Sequence, residues 1–248
     1  MFNLSDSRNF TRTLAAISLL VTPALLLLGA IIGPDLGDET AEELANIADN
    51  EAAYVISGLL FLVSPLVFVP GMMGVIRLMR RRGVTLGQIG AAMIMFGALL
   101  TMAFYGWGLV EYVAATNAEL SRPEMAALFD EAEDSALGVP IWLGGFIIGL
   151  LIGSILLAIA LWRNQVVPVW SPIALVLSTV LGFFGEDKWI SAASFLVLFI
   201  ALWPVAQKLL SISDDEWETW HLPEPGGAAP PPPPPPPPGP TGGGGGTS

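Results

Sequence analysis

Glu111 is the residue of this sequence best placed to bind a ligand or carry a proton away from bulk water. It follows a long apolar run, and Tyr105, Trp107 and Tyr112 lie close to it in the chain. Ionisable side chains within a membrane are costly and often serve transport or binding. Tyr and Trp also gather at membrane–water interfaces, where a neighbouring glutamate is ordinary. Glu111 is therefore a candidate ligand or proton site, and an interfacial side chain is the alternative.

Other carboxylates cluster between the apolar runs. The densest group consists of Asp130, Glu131, Glu133 and Asp134. Such a group can hold a divalent cation or meet a basic partner, although the spacing of an EF-hand is missing. A run of like charges is more often a solvated surface. We predict no metal site from it.

Several chemistries lack the residues they need. The chain has no cysteine, and its one histidine, His221, lies near the C-terminal end. Haem, zinc and copper sites within a bilayer therefore have no ligands of the usual kinds. Neither lysine lies in the middle of an apolar run, which argues against a retinal Schiff base. The sequence therefore predicts no cofactor and no enzymatic activity. It also predicts no binding of nucleic acid, because its only basic run consists of Arg80, Arg81 and Arg82.

Glycines at a regular spacing indicate close helix packing. Gly145, Gly149 and Gly153 recur every four residues, and Gly29 and Gly33 form a shorter pair. Small residues at this spacing allow helix backbones to approach each other in lipid. We favour contact within one bundle, while self-association or docking onto another membrane subunit is the alternative.

The elements that carry these residues are predicted to be membrane helices. The mean hydropathy is +0.66 and only 13% of residues are charged, whereas a soluble domain has about 25%. A spanning helix needs about 20 apolar residues. Six segments approach that length, namely 14–32, 52–76, 86–113, 138–162, 169–184 and 189–210. The first lacks a convincing cleavage site for a signal peptide, so we predict that it also spans the membrane.

The positive-inside rule orients these helices. With a cytoplasmic N-terminus, eight of the ten Lys and Arg residues fall inside and two, Arg122 and Lys188, fall outside. The inner anchors include Arg77, Arg80, Arg81, Arg82 and Arg163. The sequence thus predicts a multi-pass protein of the bacterial cytoplasmic membrane with both termini in the cytoplasm.

Each of the first two outer loops is predicted to contain a short acidic amphipathic helix. Thr40 with Glu43, and Ser121 with Glu124, have the spacing of a capping box. Apolar stripes follow both pairs and consist of Leu44, Ile47 and Ala48, then Met125, Leu128 and Phe129. The predicted fold class is an all-α membrane protein, a six-transmembrane-helix bundle with two such helices in its outer loops.

The chain is expected to have four parts. Residues 1–12 form the cytoplasmic N-terminus, 13–210 the transmembrane domain, 211–222 an interfacial segment rich in acidic residues and Trp, and 223–248 a disordered tail. The tail contains nine consecutive prolines, which favour an extended polyproline II rod. Its glycine-rich end has the composition of either a native tail or a cloning linker.

The whole pattern resembles a broad group of uncharacterised six-helix membrane proteins of actinobacteria and other bacteria. The likeness rests on residues 29–34, 70–80, 160–163 and 167–170 and covers about residues 10–210. It implies a six-helix fold and no particular chemistry.

Two functions follow as hypotheses. The glycine faces and the proline tail favour a non-enzymatic accessory or scaffold subunit that packs against other membrane subunits. Alternatively, the protein is a carrier or binding protein for a lipid or small weakly polar molecule. The irregular stretch from Pro65 to Gly74 indicates a cavity for it, because kinked helices in lipid often line cavities.

Overall fold

The computed structural model describes residues 7–37, 39–79, 83–133, 143–183 and 187–213, together with Trp217. All secondary structure in these residues is helical. We number the helices α1 (Ser7–Ile32), α2 (Thr40–Asp49), α3 (Glu51–Leu78), α4 (Val84–Thr116), α5 (Arg122–Glu133), α6 (π-helical Leu143–Ile152 continuing into α-helical Gly153–Asn164), α7 (Trp170–Phe183) and α8 (Lys188–Ser211).

Five helices, α1, α3, α4, α6 and α8, are long and apolar enough to cross a membrane. The sixth predicted span corresponds to α7, whose ends lie within one residue of the predicted ones. With 14 residues, α7 extends about 21 Å, which is less than the 30 Å of a hydrocarbon core. Pro172 lies in the first turn of α7, where proline is tolerated because the N–H groups of that turn have no acceptor within the helix.

The six apolar helices form a closed ring. Around the ring α1 packs against α3 and α8, α8 against α7, α7 against α6, α6 against α4, and α4 returns to α3. Neighbours that follow each other in the chain are antiparallel. For example, Gly71 of α3 lies against Leu19 while Gly33 at the end of α1 lies against Ser57. Such a ring encloses a space on its axis.

Basic side chains lie at one end of the ring. Arg12 donates a hydrogen bond to the carbonyl oxygen of Ile212, just beyond α8, and the guanidinium of Arg77 lies 4.8 Å from the ring centroid of Trp217. Arg163 is in the last turn of α6, at the same end. The anchors predicted at Arg80, Arg81 and Arg82 lie outside the described residues.

Two separate cores hold the described helices together. The larger extends through the basic half of the ring and includes fully buried Leu19, Met72 and Leu209. The smaller lies at the opposite end, where α2 and α5 pack on the last turns of α4 around Leu44 and Phe129. Large apolar side chains on the outer faces of the ring remain exposed, as expected for helices surrounded by lipid.

Candidate functional site: an outer cavity with an acidic wall

The glycines of α6 face α4 within the same chain. A Cβ atom on Gly149 would lie 2.4 Å from Cα of Gly97, and one on Gly153 would lie 3.0 Å from the carbonyl oxygen of Gly90. At Gly145 the nearest atom would be Cβ of Leu100, at 3.3 Å. Only hydrogen fits at Gly149, so the two backbones are in direct contact there.

The shorter glycine pair brings α1 against α3. A Cβ atom on Gly29 would lie 3.3 Å from the ring of Phe61, and one on Gly33 would lie 2.8 Å from Oγ of Ser57. The Ser57 hydroxyl donates to the carbonyl oxygen of Gly29 at 2.8 Å. This contact fixes the outer ends of α1 and α3, which are two walls of the site described next.

A large cavity lies at the end of the ring opposite the basic residues. We call it the outer cavity, because the sequence predicts that this end faces outward. Its volume is about 1650 Å³, and it is open to the surroundings. The walls are the outer parts of α1, α3 and α4 with the first turn of α8, and α2 lies over one side. Apolar and aromatic side chains line it, including Leu59, Phe61, Leu62, Tyr105 and Trp107.

Glu111 lies in the wall of this cavity. The Tyr54 hydroxyl of α3 reaches across to α4 and lies 3.1 Å from Oε2 of Glu111 and 3.2 Å from the carbonyl oxygen of Gly108. The rings of Tyr54 and Tyr112 are nearly parallel, with centroids 6.5 Å apart. The structure therefore brings Glu111 together with Tyr54, a residue that sequence reasoning missed because it lies 57 positions away.

Acidic side chains dominate the charge around the cavity. Its lining includes five carboxylates and one ammonium group, those of Asp35, Glu42, Glu43, Glu111, Asp187 and Lys188. The Lys188 Nζ donates to the carbonyl oxygen of Gly33 at 3.0 Å and lies 5.3 Å from the ring centroid of Trp189. Among the described lining residues, Lys188 is the single cation, and it is bound to protein groups.

Helices α2 and α5 pack against each other next to the outer cavity, and we call this pair of helices the roof. The Thr40 hydroxyl of α2 donates to Oδ1 of Asp130 in α5, and Asn46 Nδ2 donates to the carbonyl oxygen of Leu36 at 3.1 Å. Gly37 allows the turn into α2 with a φ of +82°, and a Cβ atom there would lie 2.6 Å from Cδ of Glu42.

Two details of the predicted loop helices are wrong. Thr40 is the first residue of α2, Glu39 occupies the N-cap position without a side-chain cap, and the Thr40 hydroxyl bonds to α5. A partner 90 residues away thus replaces the local capping box. Leu128, placed on the apolar stripe of the second helix, is 53% exposed, whereas Ala126 is buried in its stead.

A smaller cavity of about 180 Å³ lies on the axis of the ring. It shares Tyr105 and Ser191 with the outer cavity, so these residues lie between the two spaces. The irregular stretch that the sequence singled out contributes Pro65, Phe68 and Met72 to its wall. The Ser64 hydroxyl donates to the carbonyl oxygen of Phe61 at 3.0 Å, the acceptor that loses its helix partner because Pro65 has no N–H.

Hydroxyl groups around the inner cavity bond to their own helices. Each of the following donates to a carbonyl oxygen three or four residues earlier: Thr22, Ser64, Thr101, Ser154, Ser178, Thr179 and Ser194. A hydroxyl that has donated its only proton still has lone pairs that accept. The few polar atoms that these hydroxyls add to the mostly apolar wall of the inner cavity are therefore hydrogen-bond acceptors.

Among the described residues, no group of three His, Asp or Glu side chains is arranged to hold a metal ion. Asp134 of the predicted carboxylate cluster lies outside those residues, and the orientation of the Glu133 side chain is not described. His221 and the proline tail also lie beyond them. Trp217 is described, and its indole N–H donates to the hydroxyl of Thr11 at 3.1 Å.

Comparison of the chain with protein-family models, with curated proteins and with solved structures gave no match. The resemblance to six-helix actinobacterial proteins therefore stays a prediction.

Proposed function

We propose that the chain is a six-pass protein of the bacterial cytoplasmic membrane that binds a lipid or a small weakly polar molecule at its outer end. The outer cavity of about 1650 Å³ carries this proposal. Ligand pockets for small molecules usually measure about 300–1,000 Å³ and combine an apolar lining with a few polar groups. This cavity is larger than that and has the same kind of lining.

The sixth pass is the least regular part of the proposed topology. The Ser171 hydroxyl, in the first turn of α7, donates to the carbonyl oxygen of Ala201 at 2.7 Å. Ala201 precedes Ile212 by eleven residues, about 16 Å along a helix. Residues 165–169 connect α6 to α7 and extend at most about 17 Å. This length is enough to bring the chain from the basic end of the ring to the level of Ala201.

The orientation follows from charge. The described residues of the basic end include Arg12, Arg77, Arg163 and Lys208, whereas the charged residues that line the outer cavity are mostly acidic. Cytoplasmic flanks of membrane helices carry the excess of Lys and Arg. The proposed topology therefore has the cavity open toward the outer leaflet and the extracytoplasmic solution.

Amphipathic ligands fit the division of the cavity into two kinds of wall. Leu59 and Leu62 provide an apolar side, and Tyr54, Tyr112 and Glu111 provide a polar aromatic side. A lipid chain or hydrophobic body would lie along the former with its polar group against the latter. A ligand that enters from the aqueous side gains roughly 25 cal/mol per Å² of apolar area buried. A lipid already in the bilayer gains mainly from the polar contacts, because its chains leave surroundings that are apolar as well.

A role as accessory or scaffold subunit stays a prediction of the sequence. The glycines that motivated it, such as Gly149, contact α4 of the same chain and so leave no free small-residue face at that position. The predicted lack of enzymatic activity is likewise untouched by the geometry.

The experiment compares two tryptophan variants. A Cβ atom on Gly58 would meet no atom within 4 Å, and Gly58 lines the outer cavity, so Gly58→Trp places an indole ring in the cavity, one helical turn from Tyr54, without a backbone clash. Gly106→Trp is the matched control, because a Cβ atom there is also free and Gly106 lies outside the cavity lining. Mass spectrometry of protein purified in mild detergent measures bound small molecules.

We expect a stoichiometric bound molecule in the unaltered protein and in Gly106→Trp, and its loss in Gly58→Trp. Equal retention by both variants, or no bound molecule in any of them, would overturn the proposal.

A further inference from the structure

We propose that the outer cavity selects ligands with a positive charge, namely amphipathic organic cations such as long-chain amines or quaternary ammonium compounds. This inference rests on the proposed function and adds the chemical class of the ligand. Three properties of the walls point to it: their charge, their aromatic rings and their hydrogen-bond acceptors.

The charge of the cavity wall is the first property. Five carboxylates against one ammonium group line it, and the ammonium of Lys188 is held by the Gly33 carbonyl and the ring of Trp189. Asp35, Glu42 and Asp187 are exposed, whereas Glu43 and Glu111 are half-buried. Around the two half-buried carboxylates, charges interact more strongly than in water because the effective dielectric constant is lower. A ligand cation therefore gains from this wall, whereas an anion is repelled.

Aromatic faces next to Glu111 are the second property. Tyr54 and Tyr112 lie nearly parallel beside this carboxylate, and Tyr105 and Trp107 also line the cavity. The face of an aromatic ring carries negative electrostatic potential and attracts ammonium groups, as in the aromatic cages that bind choline. The combination of a carboxylate with several rings suits a bulky cation better than a small, strongly hydrated ion.

Several polar side chains of the described lining already donate a hydrogen bond within the protein. Tyr54, Ser57, Asn46 and Asn50 each donate to an acceptor of the protein. Tyr105 lies between the outer and the inner cavity. The hydroxyls of the inner cavity have also donated their protons to carbonyl oxygens and retain acceptor lone pairs. A protonated amine, whose N–H groups only donate, matches both walls, whereas a carboxylate or phosphate group would meet the carboxylates of the outer cavity. A quaternary ammonium ion has no N–H group and gains from the first two properties alone.

The experiment uses two probes of similar shape and opposite charge, tetraphenylphosphonium and tetraphenylborate. Equilibrium dialysis against the full chain in a neutral detergent gives their dissociation constants. We expect the Kd of the cation to be at least roughly tenfold lower than the Kd of the anion.

Two substitutions test the role of the wall. Glu111→Gln should weaken binding of tetraphenylphosphonium roughly five- to tenfold and leave tetraphenylborate unchanged or bound more tightly. Glu119→Gln is the matched control, because it removes the same charge from an exposed position outside the cavity lining. If Glu111→Gln fails to fold, Glu43→Gln in the roof makes the same comparison.

The outcomes separate this inference from the function on which it rests. If Gly58→Trp displaces neither probe, the cavity is not the binding site and the proposed function fails. If Gly58→Trp displaces both probes but their affinities are equal, or if Glu111→Gln and Glu119→Gln act alike, the cavity binds ligands without charge selection and only this inference is wrong.

Discussion

Replacement of Gly149 by alanine tests the contact between α4 and α6. The added Cβ would lie 2.4 Å from Cα of Gly97 and 3.1 Å from the carbonyl oxygen of Met93. Both are backbone atoms, so a side-chain rotation cannot relieve the clash and the helices have to separate.

The magnitude follows from two opposed effects. Overpacking of a close contact costs typically 1–3 kcal/mol, and a backbone clash at this distance belongs at about 3 kcal/mol. Alanine in place of glycine inside a helix returns about 1 kcal/mol. The net loss in free energy of unfolding should be about 2 kcal/mol, which lowers Tm by roughly 4–8 °C for a chain of this size.

Tryptophan fluorescence during heating in detergent measures Tm, and the chain contains eight Trp residues. Gly106→Ala is the control, because a Cβ atom there meets nothing within 4 Å, and its Tm should be unchanged or slightly higher. Native mass spectrometry should find the same oligomeric state for both variants. Equal Tm values for the two, or a change of oligomeric state in Gly149→Ala alone, would refute an intramolecular contact.

Three further changes have defined outcomes. Ser171→Ala removes the hydrogen bond to the Ala201 carbonyl and should cost about 1 kcal/mol, seen as a lower Tm than that of the exposed control Ser211→Ala; equal values contradict a role for this bond. Gly37→Ala strains a backbone with φ +82° and displaces the roof, so mass spectrometry should find less bound ligand while the Tm of the ring changes little. An impermeant thiol reagent applied to intact cells should label Glu119→Cys and spare Lys208→Cys, and the reverse pattern would invert the proposed topology.

The sequence predicts the apolar segments well because length and composition alone decide whether a helix is stable in lipid. The ends of α7 differ from the predicted ones by a single residue on each side. α1 begins at Ser7, a full turn and more before the predicted position, because a helix continues through polar residues once its apolar part is packed.

The outer cavity was beyond prediction, since it depends on which faces of distant helices meet. The bond between Tyr54 and Glu111 joins α3 to α4, and nothing in the local pattern of either segment marks it. Gly90 and Gly97 of α4 pack against the glycines of α6. They are seven residues apart, however, and so do not follow the four-residue pattern that was used to find glycine faces. The π-helical start of α6 also carries no recognised signal in its composition.

A single cysteine tests the central claim most directly, because the chain has none of its own. In Gly58→Cys the thiol lies in the outer cavity, and in the control Gly106→Cys it lies elsewhere on the bundle. The rate of thiol labelling is measured in delipidated protein before and after lipid extracted from the native membrane is added back. A ligand-filled cavity predicts that added lipid slows labelling at position 58 and not at 106, whereas equal rates with and without lipid at both positions would contradict a binding site in the outer cavity.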